Sequence, residues 1–166
     1  MKYIILIAVM VSLLGFAYAQ GSASCTEKEK STETLTTSER FAKANSLLAN
    51  EEYKMAIVMY DSLNKDFPQW SCPWRHKGEA YYKLKDYPAA TKALEEAIAT
   101  NENHYDAYVW LAYALNEQKL YKEALQNLEL AMKLTPEEEE SKDEEISKEH
   151  IDKFYKELQQ KVQGKG

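Results

Sequence analysis

The residues able to do chemistry are three histidines (His76, His104, His150), two cysteines (Cys25, Cys72) and adjacent carboxylates such as Glu51-Glu52 and Glu95-Glu96. Histidine and cysteine at short spacing would hold a transition metal. Carboxylates in unlike environments would do acid/base work. The spacing supports neither. The histidines lie in separate stretches, and the carboxylate pairs fall on polar helix surfaces without apolar shielding. Cys25 and Cys72 are read as two independent thiols, with a long-range disulfide as the alternative. The sequence contains no GxxxxGK, GxGxxG, GxSxG or HExxH, the motifs that would position a phosphate, dinucleotide, nucleophile or zinc. No catalysis, no cofactor, no metal and no small-molecule substrate are expected.

Composition narrows the partner. The chain of 166 residues carries a net charge of -6 with a pI near 5.2, so nucleic acid, which needs a basic face, is not the expected ligand. Five glycines are too few for a phosphate cradle beside ordinary turns, whereas 12 tyrosines and three tryptophans are plentiful.

The N-terminus sets the compartment. Lys2 precedes an apolar run from Ile4 to Leu14, and Ala17-Tyr18-Ala19 fits a small-x-small cleavage site. Residues 1–19 are therefore read as a signal peptide, with export to a periplasmic or secreted location. Two alternatives stay open: an uncleaved anchor, for which Tyr3 to Ala19 is barely long enough, and acylation at Cys25, although no Leu opens a lipobox there. Membrane contact follows only if the N-terminus is anchored. Residues 20–36 are rich in Ser, Thr, Glu and Lys and are expected to form a flexible tether.

From residue 37 the sequence repeats every 34 residues. Tyr53, Tyr87 and Tyr121 keep this period, as do Ala56, Ala90 and Ala124, and Ala44, Gly78 and Ala112. Leu47, Tyr81 and Leu115 follow it too, with Tyr60, Leu94 and Leu128, and Leu63, Ala97 and Ala131. Within each unit the apolar positions recur at three and four residues, so each half is an amphipathic helix. The small residues let paired helices approach closely. Thr36 with Glu39 predicts a capping box, and Asp86 with Pro88 predicts a helix start.

These positions resemble the tetratricopeptide repeat family, whose unit is two antiparallel helices in 34 residues. The middle unit carries the resemblance best, through Trp74, Gly78, Tyr81, Tyr87, Ala90 and Ala97; the first departs most, with Arg40 and Lys43 in slots that usually hold Trp and Leu. The resemblance implies an all-α solenoid of three repeats, 37–70, 71–104 and 105–138, followed by a capping helix in 139–166. Ile146, Ile151, Phe154, Leu158 and Val162 form its apolar stripe, and Thr135-Pro136-Glu138 or Ser141-Glu144 would start it. The eight acids between Glu137 and Glu149 are read as helix-start electrostatics.

The resemblance also implies a binding face. In the family the first helix of each unit lines a concave surface, which by the 34-residue register would present Phe41, Asn45 and Leu48, then Arg75, His76, Glu79 and Tyr82, then Asp106, Val109, Trp110, Tyr113 and Asn116. On one reading Tyr82, Trp110 and Tyr113 grip an extended or helical peptide while Arg75 pairs an acidic group. On the other, these rings fill gaps in a short array or meet the C-terminal helix. Some family members dock acidic chaperone C-termini with a clamp of Lys, Arg and Asn. Here Phe41, Asp106 and Trp110 stand in the basic slots and only Asn45 is kept, so that ligand is not expected. The functional expectation is a non-catalytic protein-binding adaptor, with a membrane-tethered assembly factor and a self-associating module as alternatives.

Overall fold

The computed structural model describes residues 35–134 and 146–164, and their regular elements are seven α-helices. They are α1 (Thr37–Ala49), α2 (Tyr53–Asp66), α3 (Ser71–Lys83), α4 (Tyr87–Thr100), α5 (Tyr105–Glu117), α6 (Tyr121–Lys133) and α7 (Lys148–Val162). The first apolar segment, Cys25, the acid run up to residue 145 and both capping boxes expected for the last helix lie outside the described residues. Among the described residues no helix is long and apolar enough to cross a membrane.

The six leading helices form three hairpins whose members start 34 residues apart, at Thr37, Ser71 and Tyr105 and at Tyr53, Tyr87 and Tyr121. Local chemistry places several starts. The Thr36 hydroxyl accepts from the Glu39 N–H at 3.3 Å, while the Glu39 carboxylate accepts from the Thr36 N–H at 2.8 Å, closing a reciprocal capping box. The Asp86 carboxylate accepts from the Ala89 N–H at 3.2 Å, with Pro88 in the first turn of α4. α7 begins behind Ser147, later than either expected capping box.

Each hairpin turns through one feature that the sequence signals poorly. Glu51, Lys85 and Lys119 all adopt a φ of 63°, in the left-handed region that normally selects glycine. The N–H groups of Glu51 and Glu52 donate to the carbonyls of Leu48 and Leu47, and the same pair of bonds recurs at Lys85 and Asp86 and at Lys119 and Leu120. This is the Schellman closure of a helix C-terminus, built three times without glycine.

Packing follows the periodic positions. Ala44, Ala56, Ala90, Ala112 and Ala124 are fully buried, as are Tyr60, Leu94 and Leu128 and Leu63, Ala97 and Ala131. Gly78 shows why the slot is small: a Cβ there would sit 2.4 Å from Leu94 Cγ. The buried side chains separate into two apolar clusters. One, in the first hairpin, contains Ala44, Ala56, Tyr60 and Leu63. The other is larger, runs through α4, α5 and α6, and takes in Ile146, Ile151, Phe154 and Leu158 from the end of the chain. α7 thus covers the third hairpin with its apolar stripe.

Candidate partner-binding face

The face formed by the first helices of the hairpins holds the twelve expected binding residues, but they divide into different environments. Val109 and Trp110 are fully buried. Burial removes them from any surface a partner could touch, which corrects the expectation that they line an open groove. The cause is the close packing of α3, α5 and α7. The Trp110 ring lies 5.3 Å from Tyr82 and 5.7 Å from Tyr113, and the Tyr113 ring lies 4.5 Å from Phe154 of α7. Lys83 Nζ sits 5.3 Å from the Trp110 ring centre, where the ring quadrupole favours a cation. Of the two readings open from the sequence, the structure takes gap filling for Trp110 and contact with the last helix for Tyr113.

Asn116 meets the same helix. Its side-chain oxygen accepts from Lys161 Nζ at 2.8 Å. Asn45 is also occupied, accepting from the Tyr60 hydroxyl at 2.8 Å. Phe41, Leu48, Tyr82, Tyr113 and Asn116 are all partly buried and keep some accessible surface.

Between these groups lies a polar cluster whose members the 34-residue register separates. Arg75 was expected to meet an acid on a partner. Instead the chain supplies two: Glu79 at 2.5 Å, one turn along α3, and Asp106 at 3.4 Å, on α5. His76, also on α3, stacks on Phe41 of α1 with ring centres 5.3 Å apart and planes 5° from parallel. Tyr60 of α2 meets the same imidazole edge-on at 5.8 Å. Burial, with Arg75 and His104 nearby, holds the His76 pKa well below the ordinary imidazole range. His104, at the N-cap of α5, is lowered by burial and by Arg75, while Asp106 works in the opposite direction. The Tyr60 hydroxyl is raised by burial and by Glu79, against Arg75. Arg75 Nε, His76 Nδ1 and His104 Nε2 are sealed from solvent with no hydrogen-bond partner among the described residues.

Sequence reasoning missed the juxtaposition of His76 and His104, because residues 28 positions apart meet only through packing of successive first helices. It also missed Trp70, whose ring lies 4.6 Å from Phe41; no periodic slot marks it. Phe154 and Lys161 were legible as part of a terminal helix but not as neighbours of Tyr113 and Asn116.

Residues 76–139 match the family model for the tetratricopeptide repeat. Over that stretch the chain carries the tetratricopeptide repeat. It is similar to the small glutamine-rich tetratricopeptide repeat-containing protein 2 of Saccharomyces cerevisiae, at 30% identity over 84 residues, which are 51% of this chain and 24% of that protein. The chain spans a quarter or less of the length of the curated relatives it matches. Among solved structures it resembles the first tetratricopeptide domain of Spaghetti (RPAP3) bound to an HSP90 peptide. That match has a TM-score of 0.66 at 19% identity and covers 76% of this chain and 93% of that one. The TPR2B domain of yeast Sti1 in its Hsp70 complex matches with a TM-score of 0.66 at 22% identity, over 75% and 96% of the two chains. At these identities the solved structures bear on the fold of this tetratricopeptide repeat array alone.

Proposed function

We propose that this protein is a non-catalytic adaptor that binds a segment of another protein along the concave side formed by α1 and α3. The observation that carries this reading is the partly exposed set of Phe41, Leu48 and Tyr82 flanking an Arg75–Glu79–Asp106 network that is already ordered. Ring and aliphatic surface held rigidly loses little entropy on binding, which is why such residues concentrate binding energy.

The similar domain of RPAP3 is bound to an HSP90 peptide and that of Sti1 is in an Hsp70 complex, which supports a protein ligand. An acidic chaperone tail is not the ligand proposed here. Arg75 is neutralised by two carboxylates of its own chain, and Phe41, Asp106 and Trp110 give the basic slots of the clamp no cation. Export through the N-terminal segment, with cleavage after Ala19, is proposed on the residue pattern alone; N-terminal sequencing of the mature protein would show Gln20 if it is right and Met1 if the segment is retained.

The test of the adaptor reading uses Phe41→Ala with Tyr82→Ala and, as a control on the opposite side of the first hairpin, Val58→Ala, at a residue 67% exposed. Partner recovery in pull-downs should drop about tenfold or more for the double variant, the loss expected of hot-spot residues, and stay level for the control. Equal recovery by all three, with native circular dichroism, contradicts the proposed face.

A further inference from the structure

The two apolar clusters of the array meet across a polar seam, and that seam contains two histidines. The first hairpin has a small core of its own, Ala44, Ala56, Tyr60 and Leu63. It joins the rest partly through His76, which touches Phe41 of α1 and Tyr60 of α2 from its place on α3. The titratable and charged groups around this imidazole come from every side. α2 supplies the Tyr60 hydroxyl, α3 supplies Arg75 and Glu79, and the start of α5 supplies His104 and Asp106; α1 supplies the uncharged Phe41 ring. Glu79 and Asp106 are both committed to Arg75, so no free carboxylate in this set is left to compensate a new imidazolium.

We propose that the His76–Arg75–His104 cluster is an acid-sensitive latch: proton uptake by the imidazoles loosens the first hairpin from the second and changes the α1–α3 face.

A neutral imidazole partly buried between aromatic rings, with its Nδ1 sealed from solvent, is well placed, whereas an imidazolium there loses part of its hydration. The Arg75 guanidinium acts on both imidazoles against protonation, so proton uptake adds like charge to the site. The linkage sign follows from the lowered proton affinity in the fold. The unfolded or opened state binds more protons, so the stabilisation is complete above the ordinary histidine range and is lost as pH falls through and below it. Because the seam separates the two clusters, the loss should fall on α1 and α2 before it reaches α5 and α6.

The latch goes beyond partner binding, and its test needs no partner. The imidazole resonances of the intact protein are followed by NMR between pH 8 and pH 4, and amide hydrogen exchange is measured at both ends of the range where the chain stays folded. The expected result is that His76 and His104 resist protonation relative to a free imidazole, and that, after correction for intrinsic exchange rates, amides of α1 and α2 lose at least about tenfold protection on acidification while those of α5 and α6 change less. His76→Phe keeps the stack on Phe41 and removes the titrating group, so it should flatten the pH dependence of the first hairpin. If both imidazoles titrate like a free imidazole, or if α1–α2 and α5–α6 lose protection equally, the latch is overturned. Where His76→Phe does not fold, the titration and exchange of the native chain decide alone.

Discussion

The first and third hairpins share one repeat yet use it in opposite ways. In the third, the face of the first helix is more heavily packed: Val109 and Trp110 are buried, while Tyr113, which stacks on Phe154, and Asn116, which accepts from Lys161, are partly buried. In the first, the corresponding face stays accessible at Phe41 and Leu48, and the core beneath it is a separate small cluster. A slot in a repeat therefore has no fixed role. What packs against it decides whether an aromatic ring becomes core or surface: Tyr82 of α3 lies against Trp110, and Phe154 of α7 against Tyr113.

Trp110→Ala is the harshest way to break the contrast. Deleting a fully buried indole should destabilise the protein by about 3–5 kcal/mol and loosen α3, α5 and α7 together, measured by urea unfolding. A loss under about 1 kcal/mol would place Trp110 on the surface and restore the symmetry between the hairpins. Gly78→Ala comes next. Its Cβ would press on Leu94, so a loss of about 1–3 kcal/mol is expected from overpacking, in the hairpin that both ends share.

The smallest change sharpens the comparison most. Glu51→Gly and Lys119→Gly each put glycine at a left-handed turn of φ 63° and should each relieve about 1 kcal/mol of backbone strain. If the hairpins unfold as one unit, both raise global stability alike. A separable first hairpin predicts instead that Lys119→Gly slows exchange in α5 and α6 while Glu51→Gly acts on α1 and α2 alone.

These contrasts show what the sequence could reveal. The period of 34, the small residues at 44, 78 and 112, the Thr36–Glu39 box and the Asp86 cap were legible because each rests on local or strictly periodic chemistry. The Schellman turns at Glu51, Lys85 and Lys119 keep the same period, but without glycine nothing in the residue types announces them. Trp110 was legible as a ring on the first-helix face and illegible as core, since its burial depends on Tyr82 of the preceding hairpin and on the close packing of α3, α5 and α7. Arg75 likewise reads as an available cation until packing brings Asp106 beside it. Periodicity identifies positions within a repeat; contacts between repeats require the packed chain.

The central claim is that a partner engages the open end of the face, at α1 and α3, and not the end covered by α7. Photo-cross-linking residues placed singly at Phe41, Tyr82 and Tyr113 test it most directly. The account predicts cross-links to the same partner from positions 41 and 82 and little from position 113. Cross-links concentrated at position 113, with 41 and 82 silent, would contradict it.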